Sequence, residues 1–175
     1  TNDAILTREL GSKPLDFAAI EELDEDTSLG VGKVEDFTWK GLLDFTSCTE
    51  CGRCQSQCPA WNTGKPLSPK LLIMNLREHG YAKAPYLQAA ETARASLSDS
   101  TKTEAARPLV GPIEVSDGVA GVIDPDVLWS CTTCGACVQQ CPVDIEHVDH
   151  ILDMRRFEVM MSAEFPTELN GLFKG

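Results

Sequence analysis

All eight cysteines of this 175-residue chain stand in two short runs: Cys48, Cys51, Cys54 and Cys58 before Pro59, and Cys131, Cys134, Cys137 and Cys141 before Pro142. Each run reads C-x-x-C-x-x-C-x-x-x-C-P. Three soft thiolates spaced by two residues can follow one tight loop around three iron corners of a cubane 4Fe-4S cluster, and the fourth corner takes a cysteine from elsewhere. Gly52 and Gly135 follow the second cysteine of each run, where a missing side chain lets backbone N–H groups approach cluster sulfurs. Pro59 and Pro142 suit the first position of a following helix. Disulfides account for the pattern less well, because disulfide frameworks are dispersed along a chain. A structural zinc site takes four ligands, commonly as two C-x-x-C pairs, and leaves the third cysteine and the Cys-Pro of each run unused. The runs therefore predict two 4Fe-4S clusters and a reducing compartment.

The spacing resembles that of bacterial-type two-cluster ferredoxins, in which the cysteine before the proline ligates the other run's cluster. The resemblance implies Cys48, Cys51, Cys54 and Cys141 as ligands of a first cluster, and Cys131, Cys134, Cys137 and Cys58 as ligands of a second. Laid over each other at an offset of 83, residues 47–59 and 130–142 agree at nine of thirteen positions, an internal pseudo-symmetry imposed at least partly by the ligands. The compact ferredoxins join their runs through short strands, whereas here more than seventy residues with helix signals separate Cys58 from Cys131.

Those signals are specific. Thr38 can cap a helix over Trp39 to Phe45 that leads into Cys48, and Asp124 with Pro125 opens another that leads into Cys131. Ser68 and Pro69 open a helix with Leu72, Ile73 and Leu76 on one face, closed at Gly80. Ile145, Val148, Ile151, Leu152 and Val159 fall near helical spacing, with Arg155 and Arg156 towards the end. The expected fold is all-α, an α-helical ferredoxin with two 4Fe-4S clusters held in loops between helices. Residues 1–36, with acidic Glu21, Glu22, Asp24, Glu25 and Asp26, read as a solvated tether with one short helix from Pro14. Residues 37–175 form the two-cluster domain. Within it an insertion spans about 85–122, polar to Pro108 and then turning at Asp117-Gly118 in a hairpin or loop.

The formal net charge is −12, and two clusters at about −2 each would bring the loaded chain near −16. That field makes nucleic acid or an anionic lipid surface a poor partner and suits a protein with a basic patch, the alternative being that the acidity only aids solubility. No stretch approaches the eighteen or so apolar residues of a membrane span. The first residue is Thr1 and no secretory signal precedes the acidic segment, so the chain reads as a piece of something longer.

Two stretches, LLDFTSCTECGRCQSQCPAWNTGKPLSPKLLI and PDVLWSCTTCGACVQQCPVDIEHVDHILDMRR, resemble the iron–sulfur module of heterodisulfide-reductase-related oxidoreductases. Within that group the chain is similar to the module of actinobacterial membrane-bound electron-transfer flavoprotein dehydrogenases. The resemblance implies an electron relay inside a larger oxidoreductase at the cytoplasmic face of the membrane. Its donor would be an electron-transfer flavoprotein and its acceptor a membrane domain reducing menaquinone. The Cys-Cys-Gly repeats of that family are missing, so its additional cysteine-rich sites are not carried over.

The other chemistry-bearing residues receive structural readings. His79, His147 and His150 are assigned to the surface or to helix caps, and Trp39, Trp61 and Trp129 to the core. Arg155 and Arg156 are read as compensating a helix C-terminus. No nucleophile–base pair, phosphate loop or flavin fingerprint is present, so no catalytic residue is assigned. The alternative function is a structural or sensing metal-binding module; a sensor usually needs one labile cluster with an exposed or missing ligand, and here all eight positions are filled.

Overall fold

The computed structural model describes residues 9–10, 13–14, 28–116 and 118–173. Glu9–Leu10 (β1) and Lys13–Pro14 (β2) form a two-residue antiparallel pair. The acidic stretch 21–26 lies outside the described residues, as does the helix expected after Pro14. A 3-10 turn, Val34–Asp36, precedes α1 (Trp39–Ser47), α2 (Arg53–Ser56), α3 (Pro59–Asn62) and α4 (Pro69–Gln88). Then come α5 (Glu91–Arg94), α6 (Asp99–Ala105), α7 (Pro125–Trp129), α8 (Ala136–Gln140), α9 (His147–Met160), a 3-10 turn at Thr167–Leu169, and α10 (Asn170–Phe173). The domain is helical; each cysteine run starts in a break between helices, while its third cysteine, Cys54 or Cys137, stands in the short helix α2 or α8.

The capping residues act where the sequence places them. Thr38 Oγ1 accepts from Gly41 N–H at 3.1 Å, Ser68 Oγ from Leu71 N–H at 3.2 Å, and Asp124 Oδ1 from Asp126 N–H at 2.8 Å. Each satisfies an amide that the helix start leaves unpaired, a contribution of about 1 kcal/mol per cap. One expected boundary is overturned. Helix α4 runs through Gly80 and Pro85 to Gln88 instead of ending at Gly80. Its inner face continues as His79 and Lys83 beyond Leu72, Ile73 and Leu76, and Val34 packs at Gly80, where an added Cβ would come within 3.5 Å of its Cγ2. Tertiary burial thus outweighs the roughly 1 kcal/mol that glycine costs a helix.

The core gathers Leu72, Ile73 and Leu76 of α4, Phe45 of α1, Leu128 of α7, and Ile151 and Met154 of α9. Val31 and Val34, at the end of the segment read as a tether, are buried in it too. The polar stretch after Pro85 is fastened to α4. His79 Nδ1 lies 2.7 Å from Glu104 on α6, and Arg107 holds Glu104 as well as the carbonyls of Ala120 and Gly121. Among the described residues, the part around Gly118 is a loop, closed by a single bridge between Val110 and Ile123.

Several side chains lie opposite to expectation. His79, His147 and His150 are 2%, 1% and 4% exposed, far from surface positions. Of the apolar stripe read in the sequence, Ile145, Val148 and Ile151 are buried as expected, but the buried face of α9 also takes in His147, Asp149, His150, Met154 and Glu158, and Leu152 and Val159 are only half-buried. Conversely Trp39 is 75% exposed and Trp61 39%. Helix α1 turns Gly41, Asp44 and Phe45 inward and so carries Trp39, Leu42 and Leu43 outward. Arg155 does serve a helix C-terminus, but that of α7: Nε and Nη2 donate to Leu128 O at 3.2 and 2.7 Å. Arg156 pairs with Asp153 at 2.6 Å.

Glu158 is buried at 6% exposure, and burial, with Glu164 nearby, pushes its carboxyl up to about 7. A carboxyl raised in the fold favours folding while protonated and opposes it as pH rises from about 4.5 through 7. Glu158→Gln is therefore expected to leave stability unchanged at pH 4.5 and to raise it by about 2–3 kcal/mol at pH 8. Denaturant midpoints at the two pH values check this, and equal effects at both would contradict it.

Candidate metal centres

The two cysteine runs fold alike. Glu50 and Thr133, at equivalent positions, have φ of 57° and 56°, and Gly52 and Gly135 have 78° and 76°. Cys58 and Cys141 repeat each other as well, with φ/ψ of −74°/118° and −74°/120°. A left-handed backbone at the non-glycine residues Glu50 and Thr133 is costly and persists only where the surroundings demand it. In the second loop the Thr133 N–H donates to Cys131 Sγ at 3.3 Å.

The eight thiols surround two cavities. Cys48, Cys51, Cys54 and Cys141 line one. Cys58, Cys131, Cys134 and Cys137 line the other. Each cavity thus receives three cysteines of one run and the last cysteine of the other. Helix α2 packs against α8 between them, and Cys54, Cys137 and Val148 form an apolar node there. Among the described residues no three His, Cys, Asp or Glu side chains converge as they would around a single metal ion.

Electrostatics follow the same division. Burial first, and then the neighbouring Cys48, Cys141 and Cys51, push the Cys54 thiol up to about 11. Burial does the same to Cys137, up to about 12, helped by Cys131, Cys58 and Cys134. Cys51 is exposed and moves the other way, because the Arg53 N–H and the Thr49 hydroxyl favour its thiolate. These cradles fit a 4Fe-4S cluster: four soft donors, an inward amide, glycines at the tight turns and walls otherwise mainly apolar.

The sequence reading missed the residues that hold these loops. Arg77 of α4 donates to Cys48 O at 3.4 Å and pairs with Glu50 at 2.6 Å. Arg155 of α9 donates to Cys131 O at 2.8 Å. The first cysteine of each run is thus pinned by an arginine from a long helix, although the two arginines share no repeat in sequence. His147 lines the first cavity; burial pushes it down to about 4, and its Nδ1 lies 3.0 Å from Ile145 O, so the neutral ring donates there. Asp44 is 2% exposed and joins α1 to the chain after Cys141. It accepts from His150 Nε2 at 3.0 Å, Glu146 N–H at 3.0 Å and Lys40 Nζ at 2.5 Å. Noting that positions 147, 150, 151, 154 and 158 share a helix face would have placed both histidines inside.

Two runs of four cysteines in equivalent loops, each completing the other's cavity, define a two-cluster iron–sulfur domain. The family model for the 4Fe-4S dicluster domain matches residues 47–145, and the chain belongs to that family. It binds two 4Fe-4S clusters and serves electron transfer. The chain is 45% identical over 156 residues to the EtfAB:quinone oxidoreductase of Syntrophomonas wolfei subsp. wolfei, covering 88% of this chain and 22% of that protein. It is 42% identical over 166 residues to a probable membrane-anchored ferredoxin of Chromohalobacter salexigens, covering 91% and 22%. It is 27% identical over 118 residues to a component of the ferredoxin:CoB-CoM heterodisulfide reductase of Methanosarcina mazei, covering 67% and 48%. The resemblance to heterodisulfide-reductase-related iron–sulfur modules therefore holds, while the chain spans only about a fifth of the first two relatives. No solved structure matches the chain.

Proposed function

We propose that Cys48, Cys51, Cys54 and Cys141 hold one cluster and Cys131, Cys134, Cys137 and Cys58 the other. The chain would thereby relay single electrons within a larger membrane-associated oxidoreductase. The observation that carries the ligand sets is the make-up of the two cavities, each lined by three cysteines of one run and one of the other. When bound, each cluster supplies a one-electron couple whose potential its surroundings set. The protein's part is to fix the thiolates, donate backbone amides to sulfur and exclude water. Arg77 and Arg155 hold the loops, and the Cys54–Cys137–Val148 node keeps the space between the sites apolar.

The wider setting rests on the relatives. One is named for quinone reduction with EtfAB and another as membrane-anchored. We place this chain between an electron-transfer flavoprotein and a quinone-reducing membrane domain using menaquinone, at the cytoplasmic face. No helix among the described residues is long and apolar enough to cross a membrane, so in this reading anchorage belongs to other parts of the assembly. A net charge of −12 favours partners with basic docking surfaces and disfavours nucleic acid.

Single-serine variants test the ligand sets. Cys51→Ser and Cys134→Ser each mark one cluster, because both residues belong to the three-cysteine arc of their own run. The EPR spectrum of dithionite-reduced Cys58→Ser is expected to match that of Cys134→Ser. A match to Cys51→Ser instead would show that each run is self-contained.

A further inference from the structure

Beside the second cavity, α7, α9 and the chain from 163 to 170 enclose an open groove of about 630 Å³. Among the described residues, its charged lining is Asp126 from α7, Glu158 from α9, and Glu164 and Glu168 from the 163–170 stretch. All four are acidic. Trp129 forms an apolar wall, with the Arg155 guanidinium 4.8 Å from its ring centroid. That guanidinium is committed to Leu128 O and Cys131 O.

Glu158 is the informative residue. It is more than nine-tenths buried and lines the groove, and among the described residues no hydrogen bond or cation offsets the burial of its carboxyl. A buried carboxylate is normally paired, since an isolated one is costly. Among the described residues no three potential ligands converge there as they would around a metal ion. The space is large enough for an extended cation beside an aromatic wall, which is how a guanidinium or ammonium on an alkyl stem is bound.

We propose that this groove receives a cationic side chain, arginine or lysine, from a protein that docks at the Cys131 end of the molecule, with Glu158 as its buried acceptor. The cation would offset the burial of Glu158, and the acidic rim would steer it in. Trp129 lies two residues before Cys131, and Arg155 touches both, so the docked partner would stand next to the second cluster's loop. That this protein is an electron-transfer partner rests on the relay reading; the binding site itself does not.

The test uses the cluster-loaded chain at pH 8, where Glu158 is ionised in the empty groove. The peptide N-acetyl-Gly-Arg-Gly-amide is titrated by ligand-observed NMR, alongside the same peptide with uncharged citrulline. Saturable binding of the arginine peptide is expected, at least tenfold tighter than that of the citrulline peptide. Glu158→Gln should weaken it at least tenfold. Glu91→Gln, which removes the same charge from exposed helix α5, should change it less than twofold. Because Glu158→Gln is expected to be at least as stable as the parent at this pH, misfolding does not mimic the result. Absence of saturable binding, equal binding of citrulline, or equal losses in the two variants would each overturn the proposal. Iron content and EPR of the same samples test the relay reading separately.

Discussion

Stripping the iron with a chelator under anaerobic, reducing conditions is expected to unfold this chain. The cluster cavities are not appendages to a finished core: Cys58 is packed with Leu67, Leu72 and Ile151, and Cys54 and Cys137 with Val148. Helices α2, α3 and α8 have only four, four and five residues, far below the length at which a helix is stable alone, and the loops joining them hold costly left-handed residues. What holds these pieces is the set of thiolate bonds to two clusters. In comparable metal-organised domains the binding free energy is folding free energy, of order 10 kcal/mol per site, which equals or exceeds the net stability of an ordinary domain. Far-UV circular dichroism should lose most of its helical signal as the cluster absorbance disappears, in one concerted transition. Retention of native-like helicity and a sharp thermal transition in the iron-free chain would contradict this account.

The second large effect is expected at Asp44. This carboxylate is 2% exposed and accepts three hydrogen bonds, from His150, Lys40 and the Glu146 amide. Burial alone would raise its pKa, but the hydrogen bonds from His150, Glu146 and Lys40 outweigh it and hold the carboxyl below the usual range. Its contribution to stability is therefore complete above the unfolded carboxyl's pKa and is lost as pH falls through the lower folded value. Asp44→Ala leaves the buried His150 ring and the half-buried Glu146 amide without their acceptor, the imidazole against Phe37 and Phe45 at 5.5 and 5.1 Å. The expected cost is about 3–5 kcal/mol, near 10 °C or more in Tm for a domain of this size. Because Asp44 joins α1 to the chain beyond Cys141, the first cluster should be lost before the second when the variant is warmed. Thermal denaturation followed at the cluster absorbance checks the size, and EPR of partly melted samples checks the order.

The sequence carried the parts of this fold that are enforced locally. Ligand spacing, caps at Thr38, Ser68 and Asp124, and the apolar residues of α4 are local properties, and each appears where its chemistry requires. What escaped depends on contacts between distant segments. Gly80 looks like a helix stop until Val34 is known to pack there, and Trp39 looks like core until Asp44 and Phe45 fix the inner face of α1. His147 and His150 look like surface because their acceptors, a backbone carbonyl and an aspartate 106 positions away, are not apparent along the chain. The arginines that pin the cysteine loops were hidden for the same reason: Arg77 reaches Cys48 across 29 positions and Arg155 reaches Cys131 across 24.

The central claim, two 4Fe-4S clusters held by exchanged ligands in one helical domain, is tested most directly by metal analysis joined to EPR on one anaerobic preparation. The account predicts about eight irons and eight sulfides per chain and, after dithionite reduction, a spectrum broadened by coupling between two neighbouring paramagnetic centres. About four irons with a single uncoupled signal, or stoichiometric zinc without iron, would contradict it.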